Sequence, residues 1–236
     1  MDEYLDIQVR PNDEIAARIL IQYALVQRVY IEELITEIEI DEEDDPDDLY
    51  YDLQVFLVES GVRPWLNTKD RTYLERRPGG LSQLETSVLL EDAAGLEPLL
   101  SVMAPELAAG DDNLGELNVR RLAVLFHALT DERAARVREL AELVHWRVAV
   151  EIELRETRGS ERQTLRTLIQ ETAAEASNAG LIERTARNDI DIGGRNIDEI
   201  EKSELTLYLV EATVRLKAMN WLCGFGSSWY DVPLEL

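Results

Sequence analysis

The sequence predicts an all-α fold, a single irregular domain over residues 1–236 with about eight to ten helices around two long central ones. Three observations predict it. Apolar residues recur three or four apart through most of the chain, which is the period of a helix with one buried face. Capping signals stand where those runs begin. Alternation of the strand type is confined to two short stretches, IEIDEE and NDIDIGG.

The first helix is NDEIAARILIQYALVQRVYIEELITEI, with Asn12 as its cap and Asp13 and Glu14 in its first turn. Ile15, Ile19, Tyr23, Val26 and Tyr30 form its predicted buried stripe. DEEDDPDD, residues 41–48, reads as an acidic loop, because Pro46 interrupts a helix and seven acids in eight residues repel one another. LYYDLQVFLVES follows as a helix ending at Gly61. Another carries Tyr73 and Leu74 and stops near Pro78, Gly79 and Gly80. Ser82 and Glu85 make a capping box for the next. Short helices fill 97–129, punctuated by Pro98, Pro105, Gly110 and Gly115. Thr130 opens the longest helix, which runs to Arg158. Its stripes, Val137, Leu140, Val144, Val148 and Ile152 on one side and Leu143, Val150 and Leu154 on another, mark a helix packed on two sides. Ser160 and Gln163 cap a further helix. The last starts at Asn196 and runs to Cys223, with Leu207, Val214, Ala218 and Trp221 on one stripe and Leu209, Leu216 and Cys223 on another.

Composition narrows the function. The net charge is −24, from 48 acids against 24 Lys and Arg. That disfavours nucleic acid and an anionic membrane surface and favours a basic protein partner. One cysteine, Cys223, permits no internal disulfide. The start, MDEYLDIQVRPNDE, has neither the basic beginning nor the apolar core of a signal peptide, and no apolar run reaches a membrane span, so the expected location is cytoplasmic.

No grouping of catalytic type is present, and neither a metal nor a cofactor is expected. Glu142 and His145 read as E-x-x-H, half of a di-iron bundle motif, but the other histidine, His127, follows Val124 at the required spacing. Asp41, Glu43, Asp45 and Asp52 approximate a calcium loop, with Pro46 where a glycine is needed. Cys223 lies on an apolar stripe, the position of an inert thiol. Glu211 and Arg215, four apart on a helix that looks buried, read as a buried pair. Together with Glu142, His145, Asn220 and Asp231 they form a candidate polar pocket. Trp146, Trp221 and Trp229 read as structural. The last two turn the ending WLCGFGSSWYDV into a latch that folds back on the helices.

HWRVAVE, from His145, and the ending RLKAMNWLCGFGSSWYDV resemble the bacterial domain-of-unknown-function family numbered 4272. So do the opening NDEIAARILIQYALV and the middle QLETSVLLEDAAGLEPL. The sequence departs from that pattern at Val214, where the family has an acid, at Tyr230, where it has an aspartate, and at Glu91 and Asp92. The resemblance implies a helical intracellular bacterial protein and brings no established activity. Three readings of function follow. The first is a non-catalytic module that binds a basic protein, toxin immunity being one instance. The second is a small-molecule binder or enzyme using the pocket around His145 and Arg215. The third is a scaffold of homo-oligomeric copies.

Overall fold

The computed structural model describes residues 7–36, 45–108, 114–126, 128–183, 189–192 and 194–235. The chain is all-α, as its periodicity predicts; the one sheet among the described residues is a two-stranded hairpin. Within residues 1–236 the structure distinguishes two compact units. One is Arg10–Leu129, and the other joins Met1–Val9 to Thr130–Leu236. IEIDEE, His127 and the first four acids of the 41–48 run lie outside the described residues.

The Arg10–Leu129 unit has α1 (Asn12–Thr36) as its axis. After it come α2 (Pro46–Glu59), α3 (Thr68–Leu74), α4 (Gln83–Ala93), α5 (Leu96–Met103), α6 (Pro105–Ala108) and α7 (Val119–Leu125). Of these, α2, α3, α4, α5 and α7 all pack against α1. Encirclement explains why α1 is buried without a break from Ile15 to Gln22. The predicted stripe is corrected accordingly: Ile15 and Ile19 are buried, but Val26 and Tyr30 are exposed. In the second half of α1 the buried arc is instead Leu25, Arg28, Val29, Ile31, Glu32 and Leu34.

The acidic loop is corrected too. Residues 45–48 are the cap and first turn of α2, with the Asp45 carboxylate accepting from Asp47 N at 2.9 Å and Pro46 at the first helical position. A proline is tolerated there because its missing N–H would have no helical partner, and Asp47 and Asp48 suit the positive end of the helix dipole. Pro98 likewise sits inside the first turn of α5 rather than breaking it. The Ser82–Glu85 capping box forms as expected.

The second unit contains α8 (Asp131–Glu156), α9 (Gly159–Asn178), β1 (Asp191–Ile192), β2 (Arg195–Asn196) and α10 (Lys202–Leu222). Thr130 caps α8 by accepting from Arg133 N. Arg158, not Ser160, precedes the first turn of α9, and no side chain caps it. The two helices predicted to be central, α8 and α10, pack along each other, with α9 on α8. Asn196 belongs to the hairpin and a following 3-10 turn (Ile197–Glu199) rather than to α10. That turn buries Ile197 and Ile200 with Val148, Ile192 and Leu205. Leu140 and Leu207, expected inside, are exposed. The chain start joins this unit through Gln8 N, which donates to Cys223 O at 3.3 Å, and Val9 N, which donates to Asp131 Oδ1 at 3.1 Å. No described helix is long and apolar enough to cross a membrane.

Candidate functional site

Of the six predicted pocket residues, the fold links Glu142 and Asn220, and it does so through Arg138. The Arg138 Nε donates to Asn220 Oδ1 at 2.8 Å, and its Nη2 lies 3.2 Å from Glu142 Oε2. The Asn220 amide in turn donates to Pro233 O at 2.8 Å, and the Arg138 guanidinium stands over the Phe225 ring. A polar chain therefore runs from α8 through α10 to the terminal segment. Its buried members, Arg138 and Asn220, bond to each other.

His145 is half-buried on α8, beside this chain in sequence, and has no hydrogen bond or ion pair among the described residues. The other three residues lie elsewhere. Glu211 and Arg215 are exposed, which corrects the expected buried pair. The buried arc of α10 runs through Leu205, Ala212, Leu216, Met219 and Asn220, and positions 211 and 215 fall outside it. Asp231 is exposed and caps a 3-10 turn (Trp229–Asp231): it accepts from Ser227 Oγ, and from Ser228 N at 2.6 Å. Those hydrogen bonds, the Ser227 one foremost, hold its carboxyl down at about 2.

The tail is built as a latch. Trp221 and Trp229 are 3% and 2% exposed, and their rings meet edge to face with centroids 5.8 Å apart. Lys217 Nζ sits 5.1 Å from the centroid of the Trp229 ring. Gly224 and Gly226, both at positive φ, turn the chain between the two indoles. Trp146 is half-buried and packs between two clusters, Leu143 with Ala173, Ala176 and Ile190, and Val150 with Leu154 and Ile169. Cys223 is buried, and burial pushes its thiol up to about 11, far from a nucleophile at neutral pH.

Two further ionic clusters have no counterpart among the predicted site residues. In the second unit, Arg147 is clasped by two carboxylates. Its Nε and Nη2 each lie 2.7 Å from Asp189, and its Nη1 and Nη2 each lie 3.0 Å from Glu151 Oε2. Burial alone would lower the Arg147 pKa; the two acids outweigh burial and raise it. Arg155 closes the cluster from Glu151 Oε1 at 2.9 Å and donates to the carbonyls of Ile200 and Ile197, so the hairpin segment is fastened to α8.

In the Arg10–Leu129 unit, Arg18 Nη1 donates to Asp70 at 3.1 and 3.2 Å. Arg28 pairs with Glu32 and donates to the carbonyls of Tyr73 and Arg77, each at 3.1 Å. Glu32 also accepts from Gly79 N at 3.1 Å. Burial lowers the Arg28 pKa, with Glu32 opposing it. A signal for both clusters exists in the sequence. Ile15, Arg18, Gln22, Leu25, Val29 and Glu32 share one three-and-four spacing, as do Leu143, Arg147, Val150 and Leu154. Charged residues in phase with an apolar stripe are buried with it.

These clusters join helices to one another and to loop carbonyls, a structural use of charge. Asp45 is occupied as a helix cap and Asp52 lies within α2, so the calcium-loop arrangement does not form over the described residues. No three His, Cys, Asp or Glu among the described residues come together as a metal site. No family model, curated protein or solved structure matches the chain.

Proposed function

We propose that the chain is a non-catalytic module that binds a basic protein. One observation carries this reading: the charges buried among the described residues balance, and the surplus lies outside them. Arg18, Arg28, Arg138 and Arg147 are offset by Glu32, Asp70, Asp92 and Glu151. The net charge of −24 therefore does not come from the buried described residues. Such a field speeds encounter with a cationic partner and repels other acidic chains. The fate of the pocket residues supports binding over catalysis, since Glu142 and Asn220 hold Arg138, Asp231 caps a turn and Cys223 is buried. The reading extends to a bacterial cytoplasmic setting and to membership of family 4272, both resting on sequence alone, with toxin immunity as one role of this type.

The test is capture on the immobilised chain from a bacterial lysate at low and at high salt. Basic proteins retained at low salt and released by salt are the expected result, because exposed charge interactions are screened. Retention of neutral or acidic proteins regardless of salt overturns the reading.

A further inference from the structure

The outward face of α2 sets exposed apolar residues among exposed acids. Tyr51 and Val58 are 67% and 58% exposed, and Val55 lies half-buried between them. The spacing 51, 55, 58 sets the three on one stripe, opposite the buried Leu53 and Leu57. Helical periodicity places Asp48, Asp52 and Glu59 along one flank of that stripe and Asp47 along the other. All four acids are exposed, and none of their carboxylates has an ion-pair partner among the described residues. By contrast Glu75 and Glu85, also at the surface of this unit, are paired with Arg71 and Arg76. Among the described residues nothing covers Tyr51 or Val58, and of the four acids only Asp47 and Asp48, in the first turn of α2, have a role in the fold.

We propose that this face of α2 docks a basic amphipathic helix of a partner protein. This rests on the reading of the chain as a basic-protein binder and names where the partner sits. An apolar seam with charged flanks is the recognition surface of paired helices, in which seam residues interlock and flanking charges choose the partner. Here the flanks are all acidic, so the partner helix carries Lys or Arg on either side of apolar residues spaced three and four apart. A second copy of this chain is disfavoured by repulsion between two bodies of charge −24. Nucleic acid offers no apolar ridge for Tyr51 and Val58. From Tyr51 to Val58 the helix rises about 10 Å, so the contact is short and its affinity modest, dependent on both seam and flanks.

The experiment uses the full chain and two labelled synthetic peptides of identical composition, rich in Lys, Arg and Leu. In one the leucines line a single helical face; in the other they are scrambled. Binding is read by fluorescence anisotropy. The wild-type chain is expected to bind the amphipathic peptide at least about tenfold more tightly than the scrambled one. The double variant Tyr51→Ser/Val58→Ser is expected to lose at least about tenfold, since each buried anchor is worth about fivefold or more. The triple variant Asp48→Asn/Asp52→Asn/Glu59→Gln is expected to lose severalfold at low salt and to show a flatter salt dependence. A control, Leu207→Ser/Val210→Ser on the exposed face of α10, is expected to change nothing. Exposure of every altered side chain keeps the melting temperature of each variant near that of the wild type. If both peptides bind alike and the α2 variants match the wild type, the attraction is spread over the surface. The docking proposal then falls while the basic-partner reading stands. If the wild-type chain binds neither peptide, both fall.

Discussion

Arg147 shows what a buried charge does in this molecule. Its guanidinium is clasped by Asp189 and Glu151, and Glu151 is itself buried and shared with Arg155. Arg147→Ala takes from Glu151 one of its two guanidinium partners and from Asp189 its tie to α8, leaving Arg155 to hold the hairpin segment alone. The expected loss is about 3–5 kcal/mol of unfolding free energy in urea titration, the usual result of breaking a buried ion pair from one side. Gln22 presents the opposite case. It is fully buried, and neither of its side-chain amide atoms has a hydrogen-bond partner among the described residues. Gln22→Met keeps the shape and removes the desolvated amide, so stability is expected to rise by about 1–2 kcal/mol; a fall would mean that the amide is bonded in solution. Cys223 gives a pH signature. Burial raises its folded pKa to about 11, above the ordinary thiol value. The thiol favours the fold below that ordinary value, and this contribution is lost as pH climbs toward 11. The wild type should therefore lose stability over that window relative to Cys223→Ala. The buried position of Cys223 was legible from its stripe. The buried arginines were legible only in their phase with apolar stripes, since hydrophobicity alone assigns charged side chains to the outside.

Among the elements, the terminal latch depends on backbone geometry as much as on its two indoles. Gly224 has φ near +89°, and a Cβ there would stand 2.6 Å from the carbonyl oxygen of Gln8. Gly224→Ala therefore strains the turn and pushes away residues 8 and 9. A loss of at least about 1–2 kcal/mol is expected from the left-handed conformation alone, visible as a lower melting temperature. Trp221→Ala should cost about 3–5 kcal/mol as a large core truncation. Acrylamide quenching checks the burial itself: Trp221→Phe and Trp229→Phe should each leave the remaining tail indole shielded. At this scale the sequence was most readable where period and cap agree, as at α8 with Thr130 and at α4 with Ser82. It misled where a rule is positional. Pro46 was read as a break because proline disrupts helix interiors, yet it occupies a first turn. The buried face of α1 was misjudged for another reason. Helices on several sides bury nearly everything in its first half, so no single stripe exists to be found there.

For the molecule as a whole, charge sets the response to conditions. With −24 in excess, compaction brings like charges together, and added salt should raise the melting temperature until screening is complete. A melting temperature flat between low and moderate salt would show that local arginine pairs already cancel the repulsion. Acid acts through particular groups. Glu85 and Asp231 are each held near 2 by hydrogen bonds, Glu85 chiefly from Ser82 and Asp231 chiefly from Ser227. Their folded pKa values lie below those of the unfolded chain. The stability they contribute is present above about pH 4 and is lost as pH falls through 2. Of the candidate pocket, only the Glu142–Asn220 link survives in three dimensions, and its connector, Arg138, was missed because it carries no sequence mark beyond its register on α8.

The hydrogen bonds from Gln8 and Val9 to Cys223 and Asp131 have a consequence for biosynthesis. They make one unit discontinuous, since its opening segment is separated from the remainder by the whole of Arg10–Leu129. A ribosome delivers that segment before residues 10–129 and the acceptor carbonyl of Cys223 well after them. Residues 10–129 leave the exit tunnel with α1 and the helices α2 to α7 already made, so their internal packing can form while translation continues. The segment around Gln8 has to wait, unpaired, until the last turn of α10 emerges. A message truncated before codon 223 would thus yield one unit able to close and a second that cannot, leaving its apolar surfaces open to quality control.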